Sequence, residues 1–277
     1  MNVLLPHFII IGAMKSGTTT LYRNLDLHPE INMSRDKETD FFVAGKNWEL
    51  GVDWYSKQFS SPQKIRGEAS PNYTKARYFQ GVPARMASLC PDVKLIYIVR
   101  DPLERAVSQY KHSYILGMLD EDFEKFEGSH EYNHILDASS YARQISEYLN
   151  FFDRNAILII DFDDLIVNPQ RVMNQIYSHI GVSEYKVKDR GAQNDSNELS
   201  RIPSPVLRFA QSPIGKRIAG NVPRGLRDRL RSNLAVGAPR VVPDFPISLL
   251  KSMASDLTQE TNEFRKLVDM EFPGWSI

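Results

Sequence analysis

Residues 10–26 read IIGAMKSGTTTLYRNLD, and this stretch decides the fold. The apolar run Phe8-Ile9-Ile10-Ile11 leading into it predicts a buried strand, while Leu21 and Leu25 behind it have helical spacing. Between them lies a tight turn bounded by Gly12 and Gly17. A strand, a turn and a helix start leave several backbone N–H groups pointing one way, so the turn is built to hold an anion. The pattern G-x-x-x-x-G-T-T has the length of an ATP-binding loop, but Thr18 stands where that loop keeps its lysine. The lysine is Lys15, inside the turn. There it would lie beside a group bound at a 5′-phosphate and neutralise charge on a departing oxygen, rather than reach for terminal phosphates. The alternative for Lys15 is a solvent-facing loop lysine, which neither the strand nor the glycines and threonines around it would require.

Working outward, strand-like runs recur at Phe8–Ile11, Ile65–Glu68, Leu95–Val99 and Ile157–Ile160, separated by helical patterns. That alternation predicts an α/β protein: a P-loop-like parallel sheet with helices on both faces. Asp101-Pro102 and Asn168-Pro169 each place a capping side chain before a proline at the first helical position, and Ser70-Pro71 is a third such start. In the helix after Arg100, Val107, Tyr110 and Tyr114 form the expected apolar stripe, leaving Ser108 and His112 together on another face. Leu250, Met253, Leu257, Phe264 and Leu267 predict a long C-terminal helix packed on the body. The division expected is one domain over residues 1–277, with a cofactor-binding α/β core at 1–182 and a helical, basic extension at 183–277.

The 277 residues carry 34 Lys+Arg and 34 Asp+Glu, so there is no overall field to draw the chain to nucleic acid. Charge is uneven locally: residues 120–131 are acidic and residues 201–240 basic. In the latter, Leu226, Leu230 and Leu234 give an apolar edge, as in a solvated helix packed by its leucines. Cys90 is the sole cysteine and cannot form an internal disulfide; with neither a signal-peptide pattern nor an 18-residue apolar span, a cytoplasmic location is expected. Among the six histidines only His130-x-x-x-His134 has metal-like spacing, and it lacks a third ligand, so no metal is expected. A competing reading, a magnesium-dependent nucleotide or small-molecule kinase, rests on Ile157–Ile160 ending in Asp161. The same aspartate in Asp161-Phe162-Asp163-Asp164 would serve equally as a turn or cap.

These blocks together resemble the sulfotransferases that use 3′-phosphoadenosine 5′-phosphosulfate (PAPS), within them the heparan-sulfate N- and 3-O-sulfotransferase-like branch. IGAMKSGTTTLYRNLDLHPEI is similar to that branch's 5′-phosphosulfate loop, which implies binding by Lys15, Ser16, Gly17, Thr18 and Thr19. LIYIVRDPLERAVSQYKH resembles the 3′-phosphate element, implying Arg100 and Ser108 as its phosphate ligands. KETDFF places a substrate-side lysine on Lys37, GEASPNYT the catalytic glutamate on Glu68, and SSYARQISEYLNFF a cofactor-side tyrosine on Tyr141. His112 stands where N-sulfotransferase-like members keep a histidine near the acceptor, and FPGWSI looks like the family's ending. The resemblance implies PAPS as donor, 3′,5′-ADP as product, and a small-molecule or glycan acceptor; oligomeric state is not implied.

The likeness fails between Val182 and Phe245. The heparan-modifying enzymes have there a glycine- and lysine-rich loop that closes on the cofactor; Lys216 or Arg217 are the residues here that would replace it. The lysine that commonly follows the catalytic glutamate is Ala69. Chemically, sulfuryl transfer needs in-line attack, a base and stabilisation of the leaving 5′-phosphate oxygen. Glu68, ending a strand beside the turn, is the expected base, with its pKa raised by burial. Lys15 is expected to act on the leaving group and Lys37 on the sulfonate, although Lys37 in RDKETD would also suit an exposed charged run. His112 would position the acceptor. Trp48, Trp54 and Tyr55 would stack on a sugar or pack internally.

Overall fold

The computed structural model describes residues 3–62, 64–119, 122–187, 201–211, 215, 233–234, 239 and 241–277. Five strands, β1 (Phe8–Gly12), β2 (Ile31–Met33), β3 (Ile65–Ala69), β4 (Lys94–Val99) and β5 (Ile157–Asp161), form one parallel sheet in the order β2-β3-β1-β4-β5. The four expected strands are present. The fifth, β2, is only three residues long, too short for periodicity to reveal.

Alternate strand residues serve opposite faces, as the two-residue pleat demands. Ile9, Ile11, Leu95, Tyr97, Val99, Ile157 and Ile159 point to one core, which is closed by α3 (Val82–Leu89), α7 (Tyr141–Leu149) and the end of the C-terminal helix (Ile247–Val268). Phe8, Ile10, Ile96, Ile98 and Ile160 point to the other, closed by α1 (Thr18–Asp26) and by the helices at Phe162–Val167 and Pro169–Ile180. The parallel sheet covered on both faces is therefore as expected, and the runs read as continuous apolar stretches because both faces are buried.

The C-terminal helix forms, but its buried stripe is Leu249, Met253, Leu257, Thr261, Phe264 and Val268. Leu250 and Leu267 fall one position off that face, and Leu267 is exposed. The helix start at Asp101-Pro102 forms as read: the carboxylate accepts from the N–H groups of Leu103 and Glu104, both at 2.9 Å. Asn168-Pro169 keeps the proline at the helix start, but the Asn168 side chain makes no capping bond. Ser70-Pro71 opens a short 3₁₀ turn, Pro71–Thr74, and the Ser70 hydroxyl turns instead to Glu68. Lys216, Arg217, Leu226 and Leu230 lie outside the described residues, as does most of the basic 201–240 segment. Among the described residues no helix is long and apolar enough to cross a membrane.

Candidate active site

β1 is the middle strand, paired to β3 on one side and β4 on the other, so its carboxyl end opens between the ends of both. Ligands of open α/β sheets bind at such a point, where connections leave a central strand in opposite directions. The Gly12–Gly17 turn thereby comes between Glu68 at the end of β3 and Arg100 just beyond β4. Gly12 has no room for a side chain, because a Cβ there would collide with the Thr74 hydroxyl and the Tyr97 ring. Gly17 precedes α1 with φ 91°, and a Cβ would sit 2.9 Å from the Phe162 ring.

No side chain caps α1, so its first N–H groups lack a side-chain acceptor. Lys15 is half-buried within the turn at φ 69°. Ser16 is fully buried, yet its hydroxyl has no hydrogen-bond partner among the described residues. The Tyr141 phenol beside it is an electrostatic neighbour and not a hydrogen-bond partner of acceptable geometry: its hydrogen goes to the Arg100 carbonyl at 2.8 Å and its oxygen accepts from the Arg100 N–H at 3.4 Å. An unpaired buried hydroxyl next to an uncapped helix start fits the oxygens of a phosphosulfate. Thr18 is buried and Thr19 half-buried in the first turn that follows.

Two ties fix the turn. The Ala13 N–H donates to the Ile98 carbonyl at 2.6 Å, and Arg105 donates to the Met14 carbonyl at 3.3 Å. Arg105 is fully buried and has only neutral hydrogen-bond acceptors: Met14, Gln109, Ser139 and the Ile135 carbonyl. Burial lowers its pKa to about 10. This corrects the expected face of α4 (Pro102–Ile115): its buried side holds Arg105, Ala106, Gln109, Tyr110 and Ser113, whereas Val107 and Tyr114 are only half-buried. Arg105 was not legible as a site residue; its sole signal is helical spacing beside Ala106 and Gln109.

Glu68 is fully buried and surrounded by four hydroxyls. Tyr55 and Tyr73 each donate to Oε1 at 2.8 Å, while Ser70, at 3.3 Å, and Thr39 donate to Oε2. Burial dominates over these bonds and raises the carboxyl to about 7. Tyr55 therefore packs internally, stacked on Phe41 at 4.1 Å, and Trp48 and Trp54 pack around the same ring rather than forming an open sugar platform. Thr39, Ser70 and Tyr73 were not singled out as partners of Glu68: Thr39 comes from a distant segment, and Ser70 and Tyr73, close in sequence, carry no pattern that marks them.

Lys37 is half-buried and bonded to Glu38 at 2.6 Å. Arg100 donates to Glu104 and lies over the Phe162 ring, 5.1 Å from its centre. Ser108 and His112, both half-buried, follow Glu104 at four-residue intervals along α4. Tyr141 is buried against the Arg100 backbone and beside Ser16, so it links the two halves of the site without itself opening to it. Asp161 caps the helix that follows, accepting from the Asp163 N–H at 3.2 Å. His130 and His134 both lie near Glu131 and pack around Tyr78. A cavity of about 350 Å³, lined in part by Tyr73, Arg77, Arg143 and Tyr148, shares Tyr73 with the Glu68 cluster but contains none of the residues expected in the site from sequence.

The sulfotransferase domain model matches residues 5–197 of the chain. The chain belongs to the sulfotransferase family. Its sequence is 33% identical over 206 residues to the bifunctional heparan sulfate N-deacetylase/N-sulfotransferase 4 of Mus musculus, covering 65% of this chain and 23% of that protein. It is 34% identical over 178 residues to the heparan sulfate glucosamine 3-O-sulfotransferase 5 of Mus musculus, covering 60% of this chain and 50% of that one. The matched region thus spans between about a quarter and half of these relatives. A sulfotransferase structure from Alicyclobacillus acidocaldarius aligns over 99% of this chain and 100% of its own, with a TM-score of 0.71 at 20% identity. A mouse sulfotransferase solved with PAP aligns over 97% and 89%, with a TM-score of 0.55 at 16% identity. The family and fold read from the sequence are both borne out.

Proposed function

We propose that this protein transfers the sulfuryl group of PAPS to a hydroxyl or amine of a carbohydrate-like acceptor, leaving 3′,5′-ADP (PAP). The observation that carries the reading is the buried, unpartnered Ser16 hydroxyl beside the uncapped start of α1, set between the strand ends that bear Glu68 and Arg100. PAPS would supply the activated sulfonate. Lys15, Ser16, Gly17, Thr18 and Thr19 would hold its 5′-phosphosulfate, and Arg100 with Ser108 its 3′-phosphate, the guanidinium gripping two oxygens at once. Tyr141 would act from behind, fixing the Arg100 backbone.

Glu68 is the proposed base, since a carboxyl near pH 7 is matched to proton abstraction in neutral solution. Because both its oxygens are covered, an acceptor reaches it only where Thr39 or Ser70 yields a place or passes the proton along. Lys15 would neutralise the leaving oxygen, Lys37 the transferring sulfonate, and His112 would position the acceptor. The heparan-sulfate enzymes among the relatives support a glycan acceptor. The kinase reading is not favoured: Thr18 occupies the kinase lysine position and Asp161 is spent on a helix cap.

Calorimetry with PAP and with ATP plus magnesium tests the donor; tighter ATP binding with no gain from a 3′-phosphate would reject the proposal. Radiolabelled sulfate transfer from PAPS to a panel of glycans and alcohols tests the reaction. Binding of PAP without turnover on any acceptor would leave a nucleotide-binding protein on the same fold.

A further inference from the structure

Lys75 is 4% exposed, and its ammonium has neither a hydrogen bond nor an ion pair among the described residues. It follows Thr74, whose hydroxyl donates to the Ile11 carbonyl at 3.2 Å, one residue before the Gly12–Gly17 turn. Four charged side chains, Arg105, Lys46, Asp40 and Glu38, lie within electrostatic range, and it also acts on His134 of the helix His130–Asp137. Both carboxylates are already engaged. Asp40 receives Lys46 and the Asn72 amide, at 3.1 and 2.9 Å from the latter, and Glu38 receives Lys37. Arg105, the first of these charged neighbours, carries the same sign as Lys75 and itself holds the turn through Met14.

A largely buried cation whose nearby carboxylates are paired with other groups destabilises a fold, and burial with the neighbouring cations lowers this lysine to about 8. A methionine of similar length would relieve that cost. An anion arriving from outside would relieve it too, and at the same stroke gain a partner sheltered from water. We propose that the Lys75 ammonium completes an anion subsite beside the 5′-phosphosulfate turn, taking an oxygen of a sulfonate or carboxylate. The inference rests on the sulfuryl-transfer reading and deepens it. Two sources have the required chemistry: the sulfonate in transit on the donor, and an acid group on the acceptor.

The test compares wild type, Lys75→Met and Lys75→Arg by calorimetry and thermal unfolding. Ligands are PAP, PAPS and, in the presence of PAP, a heparan-type oligosaccharide and its carboxyl-reduced counterpart. PAP lacks the sulfonate, so its affinity should stay within twofold in Lys75→Met, while the melting temperature holds or rises. A roughly tenfold loss of PAPS affinity then assigns the anion to the donor. A similar loss for the acidic oligosaccharide alone, with the reduced one unaffected, assigns it to the acceptor; Lys75→Arg should recover part of either. The proposal is overturned if no affinity changes, if PAP and PAPS weaken together, or if both variants melt several degrees lower, which marks a structural lysine. Wild-type protein that fails to bind PAP would reject the sulfuryl-transfer reading itself, and the subsite with it.

Discussion

Arg100 donates through Nε and Nη2 to one oxygen of Glu104, at 3.1 and 2.5 Å, so the arginine expected to grip a 3′-phosphate is held by a carboxylate one turn along α4. A phosphate must displace that carboxylate or share the guanidinium with it. The Glu104 side chain is 57% exposed, which makes the pair weak and readily exchanged. A doubly charged phosphate makes stronger charge-assisted bonds than one carboxylate oxygen does.

Glu104→Gln should therefore tighten PAP binding by about twofold to fivefold, the range of an exposed ion pair. Arg100→Met should weaken PAP by about 2 kcal/mol while changing 5′-AMP, which lacks the 3′-phosphate, by less than threefold. Calorimetry of both nucleotides on both variants checks this. Equal losses of PAP and 5′-AMP in Arg100→Met would show that Arg100 does not read the 3′-phosphate.

Glu68 sets the expected pH dependence. As the proposed base it would have to be ionised, so kcat/KM should rise with pH through an apparent pKa near 7. Glu68→Gln should lower the rate by about 10²-fold or more while PAP affinity survives. The Tyr55 phenol favours the ionised form, so Tyr55→Phe should shift the rising limb to higher pH. The stability sign is opposite to the activity sign. A carboxyl raised from 4.5 to about 7 on folding contributes stability that is fully present below 4.5 and lost as pH rises through 7. Between pH 4.5 and 8 the wild type should lose about 3 kcal/mol that Glu68→Gln does not lose, as read by urea unfolding at each pH.

The strands and the anion turn were open to reading because each is local: four apolar runs, two glycines and the lysine between them lie within short windows. Pairing Arg100 with the turn came from the family resemblance of LIYIVRDPLERAVSQYKH, since R-D-P alone reads only as a capped helix start. What sequence could not give is convergence. Thr39, Tyr55 and Tyr73 reach Glu68 from three segments whose spacing carries no common period. Arg105 was hidden for another reason: an arginine on a helix reads as solvated, and only its ring of neutral acceptors allows it inside. The Lys75 ammonium escaped because a lysine just past a short turn reads as solvated.

Arg105 carries a stability prediction. Its guanidinium joins the turn, α4 and the residues at 135–139 through four acceptors. Truncation leaves buried acceptors unpaired at about 1–3 kcal/mol each, and opens a cavity besides. Arg105→Ala should destabilise the protein by about 3–5 kcal/mol, at the high end for one substitution. Arg105→Lys should recover only part, because an ammonium cannot span the same fork of acceptors. Urea denaturation of the three proteins decides it; a change under 1 kcal/mol in Arg105→Ala would show that the fold does not depend on this hub.

Ser16 should behave in the reverse way. Its hydroxyl is buried and has no hydrogen-bond partner among the described residues, so it has been taken from water without compensation there. Removing it in Ser16→Ala deletes an unmet polar group and leaves the Tyr141 phenol bonded to the Arg100 carbonyl. The melting temperature should be unchanged or slightly raised. PAPS and PAP, whose 5′-phosphate oxygens would supply the missing acceptor, should bind about tenfold more weakly, the worth of one hydrogen bond to a charged group. Calorimetry and thermal unfolding on the same preparation read both quantities. A variant that melts lower yet keeps full affinity would mean that the hydroxyl serves the fold, and that the turn holds its anion by backbone and Lys15 without it.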